Sequence, residues 1–244
     1  MRRWITFAAI IAGVVLGAPV QAADRAELVL NFDARPAGQN LRGPWSEGCF
    51  PDAVTLQQAC IRTEDGGSVS RTEREAGPGG PAIGFPAPGD GTAILFIPHS
   101  DLLNPGDRDF DVSALIDMTA TEGRSGSNLV QKGRFGEAGG QWKLQVDKGV
   151  PSCRIAGVRD DRRVAAIATG PSIAGQGWVH LHCERRGASL TITVDGGVPV
   201  TSSNNAGMNI ANMAETTIGG RVTGTADNDQ LHGEIDRVIV DIHF

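Results

Sequence analysis

From residue 92 onward the chain alternates apolar and polar residues in short runs separated by Gly, Pro, Asn and Asp. That period of two is what a half-buried β-strand requires. Gln141 to Asp147 shows it most cleanly, with Trp142, Leu144 and Val146 alternating against Lys143, Gln145 and Asp147. Ala26 to Asp33 reads as the first strand, followed by Thr92 to Pro98, Phe110 to Met118 and Asn128 to Lys132. Cys153 to Val158, Val164 to Thr169, Trp178 to Glu184 and Ser189 to Asp195 continue the series, and Thr217 to Gly219 and Glu234 to Phe244 end it. No segment sustains a helical apolar period, and Asp52 to Ile61 is expected to form one or two helical turns at most. Strands at this spacing predict an all-β sandwich or barrel.

Two segments break the pattern. Arg2 and Arg3 precede a mostly apolar run from Ile5 to Leu16, and Ala18-Pro19-Val20-Gln21-Ala22 ends it with small residues. This is the layout of a secretory signal peptide over residues 1–22, and the run is too short for a membrane span. No Cys follows it, which argues against a lipoprotein anchor, so no membrane insertion is expected after cleavage. The second break, residues 64–91, is rich in Gly, Pro and charge. It reads as a long surface loop within one domain spanning 23–244, because the piece before it holds one good strand, too little to bury a core alone.

Composition sharpens this picture. The chain holds 33 Gly in 244 residues and no Tyr, with 5% aromatic residues; the Gly surplus fits many tight turns. The formal net charge is −6, and removal of residues 1–22 takes away two Arg and no acid, leaving −8. Such a chain repels phosphate backbones and anionic lipid surfaces, which disfavours nucleic acid as a partner. An exported chain can oxidise its four Cys. Of the three pairings, Cys49–Cys60 and Cys153–Cys183 are favoured. The first closes a short loop, and the second joins two strands on which each Cys shares a face with apolar neighbours. Each bridge would contribute roughly 3 kcal/mol. No Cys-x-x-Cys spacing supports a zinc site instead.

The second half resembles the laminin G-like, concanavalin A-like lectin/glucanase superfamily. The resemblance is carried by Asp109 to Ala114 (DFDVSA), Asn128 to Gly133 (NLVQKG), Gly140 to Val146 (GQWKLQV), Gly177 to Cys183 (GWVHLHC), Leu190 to Gly196 (LTITVDG), Thr217 to Gly220 (TIGG) and Gly233 to Val240 (GEIDRVIV). These seven motifs stand in that order, and the resemblance covers about residues 92–244. The resemblance implies a two-sheet antiparallel jelly-roll β-sandwich. It further implies a carbohydrate or an extracellular protein as partner and calcium as the cofactor to consider, while the signal peptide implies a secreted or periplasmic location.

Candidate chemistry is sparse. Retaining glucanases on this fold carry acids at alternate strand positions, and Glu234 and Asp236 have that spacing. The third position is filled by Val238 or Ile239, neither acidic, so a non-enzymatic reading is preferred over a glycoside hydrolase. His180, His182 and Glu184 share a strand face and could hold zinc or copper with His232, but a polar outer face explains them as well. Calcium would find oxygen donors in Asp101 to Asp111 or Asp227 to Asp229. Among aromatic residues able to stack on a sugar, Trp142 and Trp178 are assigned to the core, and Trp45 is the Trp expected to be exposed for ligand binding. The sequence therefore reads as an exported, non-catalytic binding module with a shallow, polar recognition surface.

Overall fold

The computed structural model describes residues 27–72, 80–118, 126–202, 205–224 and 228–243. The signal peptide expected over 1–22 lies outside these residues, as does Asp227. In chain order the strands are β1 (Leu28–Leu30), β2 (Cys49–Pro51), β3 (Gln58–Glu64), β4 (Ser70–Thr72), β5 (Ala82–Gly84), β6 (Thr92–Ile97), β7 (Phe110–Asp117) and β8 (Ser127–Gly133). They continue with β9 (Gln141–Asp147), β10 (Val150–Arg159), β11 (Arg162–Thr169), β12 (Trp178–Arg186), β13 (Ser189–Val194), β14 (Val200–Ser202), β15 (Thr216–Ile218) and β16 (Glu234–Ile242). One 3-10 turn, Asp101–Leu103, interrupts them.

These strands form two antiparallel eight-stranded sheets. The first runs β14-β13-β12-β7-β16-β5-β4, with β1 added on β16; the second runs β11-β10-β9-β8-β15-β6-β3-β2. This is the all-β, two-sheet jelly-roll sandwich expected. Alternation decides which residues face inward. Val112, Ala114 and Ile116 of β7, Val179 and Leu181 of β12, and Val238 and Val240 of β16 meet Trp142, Leu144 and Val146 of β9, all at most 1% exposed. Phe110 and Trp142 bring their rings to 6.4 Å across this core. The indole Nε1 of Trp142 donates to the Leu103 carbonyl at 3.0 Å, so burying this polar tip costs little.

Both disulfides form as favoured. Cys49–Cys60 links directly opposite residues of β2 and β3. Cys153–Cys183 crosses the core, joining β10 of the second sheet to β12 of the first. Two residues beyond Cys183 on β12 the next inward side chain is Arg185, fully buried. Its guanidinium donates to the carbonyls of Arg108 and Met208 at 2.9 Å and of Gly106 at 3.0 Å, and it lies 5.0 Å from the Phe110 ring centre. A planar donor fork can satisfy several fixed carbonyls at once, which a lysine cannot.

Two expectations are corrected. Residues 64–91 are not simply a loop: β4 and β5 lie within them and extend the first sheet by pairing with each other and with β16. At three residues apiece, these end strands are too short to show a periodic signal. Residues 52–61 form no helix. Asp52 instead accepts from the backbone of Val29 at 2.7 Å and of Thr55 at 2.7 Å, an arrangement that turns the chain into β3.

Candidate functional site

The outer face of the second sheet carries an unusual floor. Register places Ile167, Arg154, Lys143, Gln131, Thr217, Phe96, Cys60 and Cys49 in one row across its eight strands. Directly opposite residues point to the same face, and Trp142 and Leu144 point into the core, so this row points away from it. Even so, Gln131 is only 4% exposed and Thr217 3%. Polar side chains on the solvent side of a sheet become buried only where neighbouring segments rise around them. Here the rim comes from Arg134 and Glu137 of the β8–β9 hairpin and from Glu215 and Arg221 on either side of β15, enclosing a pocket of about 280 Å³.

The floor is held in place by its own hydrogen bonds. Asn128 Nδ2 donates to Gln131 Oε1 at 2.6 Å and to Asp229 Oδ2 at 3.2 Å, while Gln131 Nε2 donates to the Gly133 carbonyl at 3.0 Å. Lys143 Nζ donates to Asn128 Oδ1 at 3.3 Å. A shift of register between Asn128 and Val130 lets β8 place Asn128 and Gln131 on the same side of the sheet. Thr217 Oγ1 is buried and has no hydrogen-bond partner among the described residues. A buried hydroxyl without a partner is costly, of order 1–3 kcal/mol.

Two arginine-on-phenylalanine pairs flank this floor. On one side the Arg154 guanidinium carbon lies 4.6 Å from the Phe135 ring centre, and Phe135 is 55% exposed. On the other, Arg62 lies 4.0 Å from the Phe96 ring centre and grips Glu215 with two bonds of 2.6 and 2.8 Å. The strands bearing Arg154 and Arg62 are five sheet spacings apart, roughly 24 Å. Burial pulls the Lys143 ammonium pKa below the usual lysine value, partly opposed by Asp229. The arrangement offers directed donors and acceptors on the floor and flat rings on the walls.

The residues singled out from sequence fall elsewhere. Trp45 is not exposed: it is 1% exposed, bridged to Val69 and edge-on to Phe50 at 5.8 Å. The expectation failed because a backbone bridge to Val69, in a distant stretch with no strand signal, draws Trp45 into the fold beside Phe50. Trp178, expected in the core, is half-buried on the outer face of the first sheet, directly opposite Asp117. Glu234 and Asp236 do not share a site. A bulge between Ile235 and Arg237 interrupts the alternation. Glu234 lines one pocket with Asp117, His232 and Thr72, to whose hydroxyl it bonds at 3.1 Å. Asp236 is 4% exposed and lines a different pocket with His180 and Asp33.

The histidine face of β12 belongs to a network centred on Asp111. His182 Nε2 is 2.8 Å from Asp111 Oδ1, while His243 Nε2 at 2.5 Å and Arg186 at 2.8 Å share Oδ2. Burial alone would raise the Asp111 carboxyl pKa, but these hydrogen bonds overcome it and hold it at about 2. His182 is pushed up by the same bond. His232 lies apart, its Nδ1 2.6 Å from the Pro86 carbonyl. Among the described residues no three His, Cys, Asp or Glu are placed to hold a metal ion. In the expected calcium loops, Asp109 accepts from Gly187 and Asp229 from Asn128.

Phe135 and the Gln131–Thr217 floor were missed by sequence reasoning, which weighed only Trp and Tyr as sugar platforms. Available signals were a lone aromatic residue between Gly133 and Gly136, and a β8 run that mixes polar with apolar residues.

A family model described as the concanavalin A-like lectin/glucanases superfamily matches residues 89–240. No curated protein matches the sequence. Among solved structures, the chain is similar to the binding domain of Paraclostridial mosquitocidal protein 1 (13% identity, TM-score 0.53, covering 79% of this chain and 46% of that one). It is also similar to the binding domain of botulinum neurotoxin DC, solved in complex with SialylT (13% identity, TM-score 0.51, 79% and 45%). The chain thus spans about half the length of these toxin domains. Domain 4 of AbnA, a GH43 extracellular arabinanase from Geobacillus stearothermophilus in complex with arabinotriose, is matched over more of its length (12% identity, TM-score 0.52, 78% and 85%). At these identities the likeness is one of fold.

Proposed function

Because the chain belongs to the concanavalin A-like lectin/glucanase superfamily, we propose that it is an exported, non-catalytic module that binds a carbohydrate on the outer face of its second sheet. One observation carries this reading: polar side chains are buried on the side of a sheet that points away from the core, between two arginine-on-phenylalanine pairs. A sugar presents hydroxyls that need directed partners and a C–H face that packs on a flat ring. Gln131 and Thr217 supply the first, and the open face of Phe135 supplies the second. The similar structures include domains solved in complex with SialylT and with arabinotriose, which supports a binding role on this fold.

The catalytic alternative at Glu234 and Asp236 has less support, since the bulge places the two acids in separate pockets. Two disulfides favour an oxidising compartment, secreted or periplasmic. Among the described residues no helix is long and apolar enough to cross a membrane. A glycan array probed with the purified protein, with calcium and with a chelator, tests the proposal. Binding to a defined set of saccharides is the expected result. Absence of binding to every saccharide would overturn it and favour a protein partner. Because Glu215, Glu137 and Asp229, in the trough between the two arginine-on-phenylalanine pairs, already pair with a cation or amide, the chelator is expected to leave binding unchanged.

A further inference from the structure

Within the proposed glycan site, the charges on the floor are unevenly compensated. Five cations face the trough (Arg62, Arg134, Lys143, Arg154 and Arg221), although the whole chain is net acidic. The acids facing them are largely engaged. Glu215 gives both oxygens to Arg62, Glu137 lies 3.8 Å from Arg134, and Asp229 accepts from Asn128 with Arg221 at 4.0 Å. Asp147 ends β9, exposed, and with Asp229 is one of the acids whose field reaches Lys143.

Lys143 and Arg154 are left without a carboxylate of their own. They stand directly opposite one another on β9 and β10 and point to the same face. Among the described residues neither has an ion-pair partner: Lys143 bonds a neutral amide oxygen and Arg154 covers a ring. Like charges directly opposite in a sheet destabilise it, so this pair is a cost to folding. Lys143 is also half-buried, where an under-solvated ammonium has most to gain from an anion.

We propose that Lys143 and Arg154 form an anion-holding subsite of the trough, which selects saccharides bearing a carboxylate or a sulfate ester over neutral ones. Gln131, the next residue in the row, lies beside this pair and would contact the ring that carries the acidic group. The proposal rests on the glycan-binding reading of this face and narrows its ligand class.

The test titrates the full mature chain with three oligosaccharide probes of similar length: neutral, uronic-acid-containing and sulfated. The acidic probes are expected to bind at least tenfold more tightly than the neutral one, and to weaken as salt rises. The double variant Lys143→Gln with Arg154→Gln should lose that advantage, so that acidic and neutral probes bind it alike, and Lys143→Arg should retain it. Preference for uronate or for sulfate identifies which anion the subsite takes. Equal affinity for acidic and neutral probes, or an advantage that survives the double variant, would overturn the inference and leave the glycan-binding reading standing. Failure of all three probes to bind, with the fold confirmed by thermal melting, would remove both.

Discussion

The guanidinium of Arg154 covers one face of the Phe135 ring at 4.6 Å and leaves that residue 55% exposed at the edge of the trough. Phe135 takes no part in the buried core, so its apolar ring is in water without helping to bury the interior. Its value to the protein is expected to lie in contact with a ligand. Phe135→Ala should lower glycan affinity by about tenfold, since a stacking contact is worth about 1 kcal/mol or more. Phe135→Trp should preserve it. Thermal melting should barely move in either variant, because no core contact is lost. Calorimetric titration beside a melting curve checks both parts.

The two disulfides should differ in their contribution. Cys153–Cys183 closes a sequence separation of 30 residues and Cys49–Cys60 one of 11. Loop-closure entropy gives about 3.6 kcal/mol for the first and about 2.8 kcal/mol for the second. Cys153 and Cys183 are 0% and 2% exposed, so replacing both by Ala also leaves space in the core. Denaturant unfolding of the two double-alanine variants should therefore show the larger loss for the core bridge. Equal losses would contradict the inter-sheet role given to it.

Asp111 should make stability depend on pH in two directions. Its carboxyl pKa is held at about 2 against an ordinary 3.8, so its stabilising effect is present above 3.8 and fades as pH falls towards 2. The imidazole pKa of His182 is raised from 6.5, so that effect is complete below 6.5 and fades as pH rises through the raised value. The stability difference between the parent and Asp111→Asn should be greatest between about pH 4 and pH 6.5 and shrink on either side. Urea unfolding across pH 2 to 9 measures it. A difference that stays constant with pH would remove Asp111 from this role.

Arg185 should prove intolerant even of lysine. Its guanidinium bonds three separate backbone carbonyls, those of Gly106, Arg108 and Met208, from a fully buried position. Arg185→Leu leaves those carbonyls unpaired and should cost about 3 kcal/mol or more. Arg185→Lys keeps charge but cannot span the same set, and should recover only part of the loss. Equilibrium unfolding of both variants reads the two costs directly.

How much of this could be read from sequence depends on how each strand is surrounded. β9 is visible because its two faces meet different surroundings, so Trp142, Leu144 and Val146 stand out against Lys143, Gln145 and Asp147. β4 and β5 leave no such trace, being three residues each at the end of a sheet. Trp45 is buried where its backbone bridges to Val69, a pairing outside the named strands that no period records. The trough was hidden for a related reason. Gln131 and Asn128 look like ordinary solvent-facing strand residues, and only the folded rim around Arg134, Glu137 and Glu215 buries the floor beneath it. Glu234 and Asp236 made the opposite error: their spacing is right for one face, but a bulge of one residue separates them.

The most direct test of the trough as a glycan site is Thr217→Val. The hydroxyl it removes is buried at the floor and bonds nothing among the described residues, while the shape of the side chain is kept. A purely structural residue would lose no stability on this change, and deleting an unpartnered buried hydroxyl can even raise it. Isothermal titration of the parent and the variant with a saccharide identified on the array should show affinity reduced by about tenfold, with the melting temperature equal or higher. Unchanged affinity in the variant, for a saccharide that the parent binds, would contradict the placement of the site on this face.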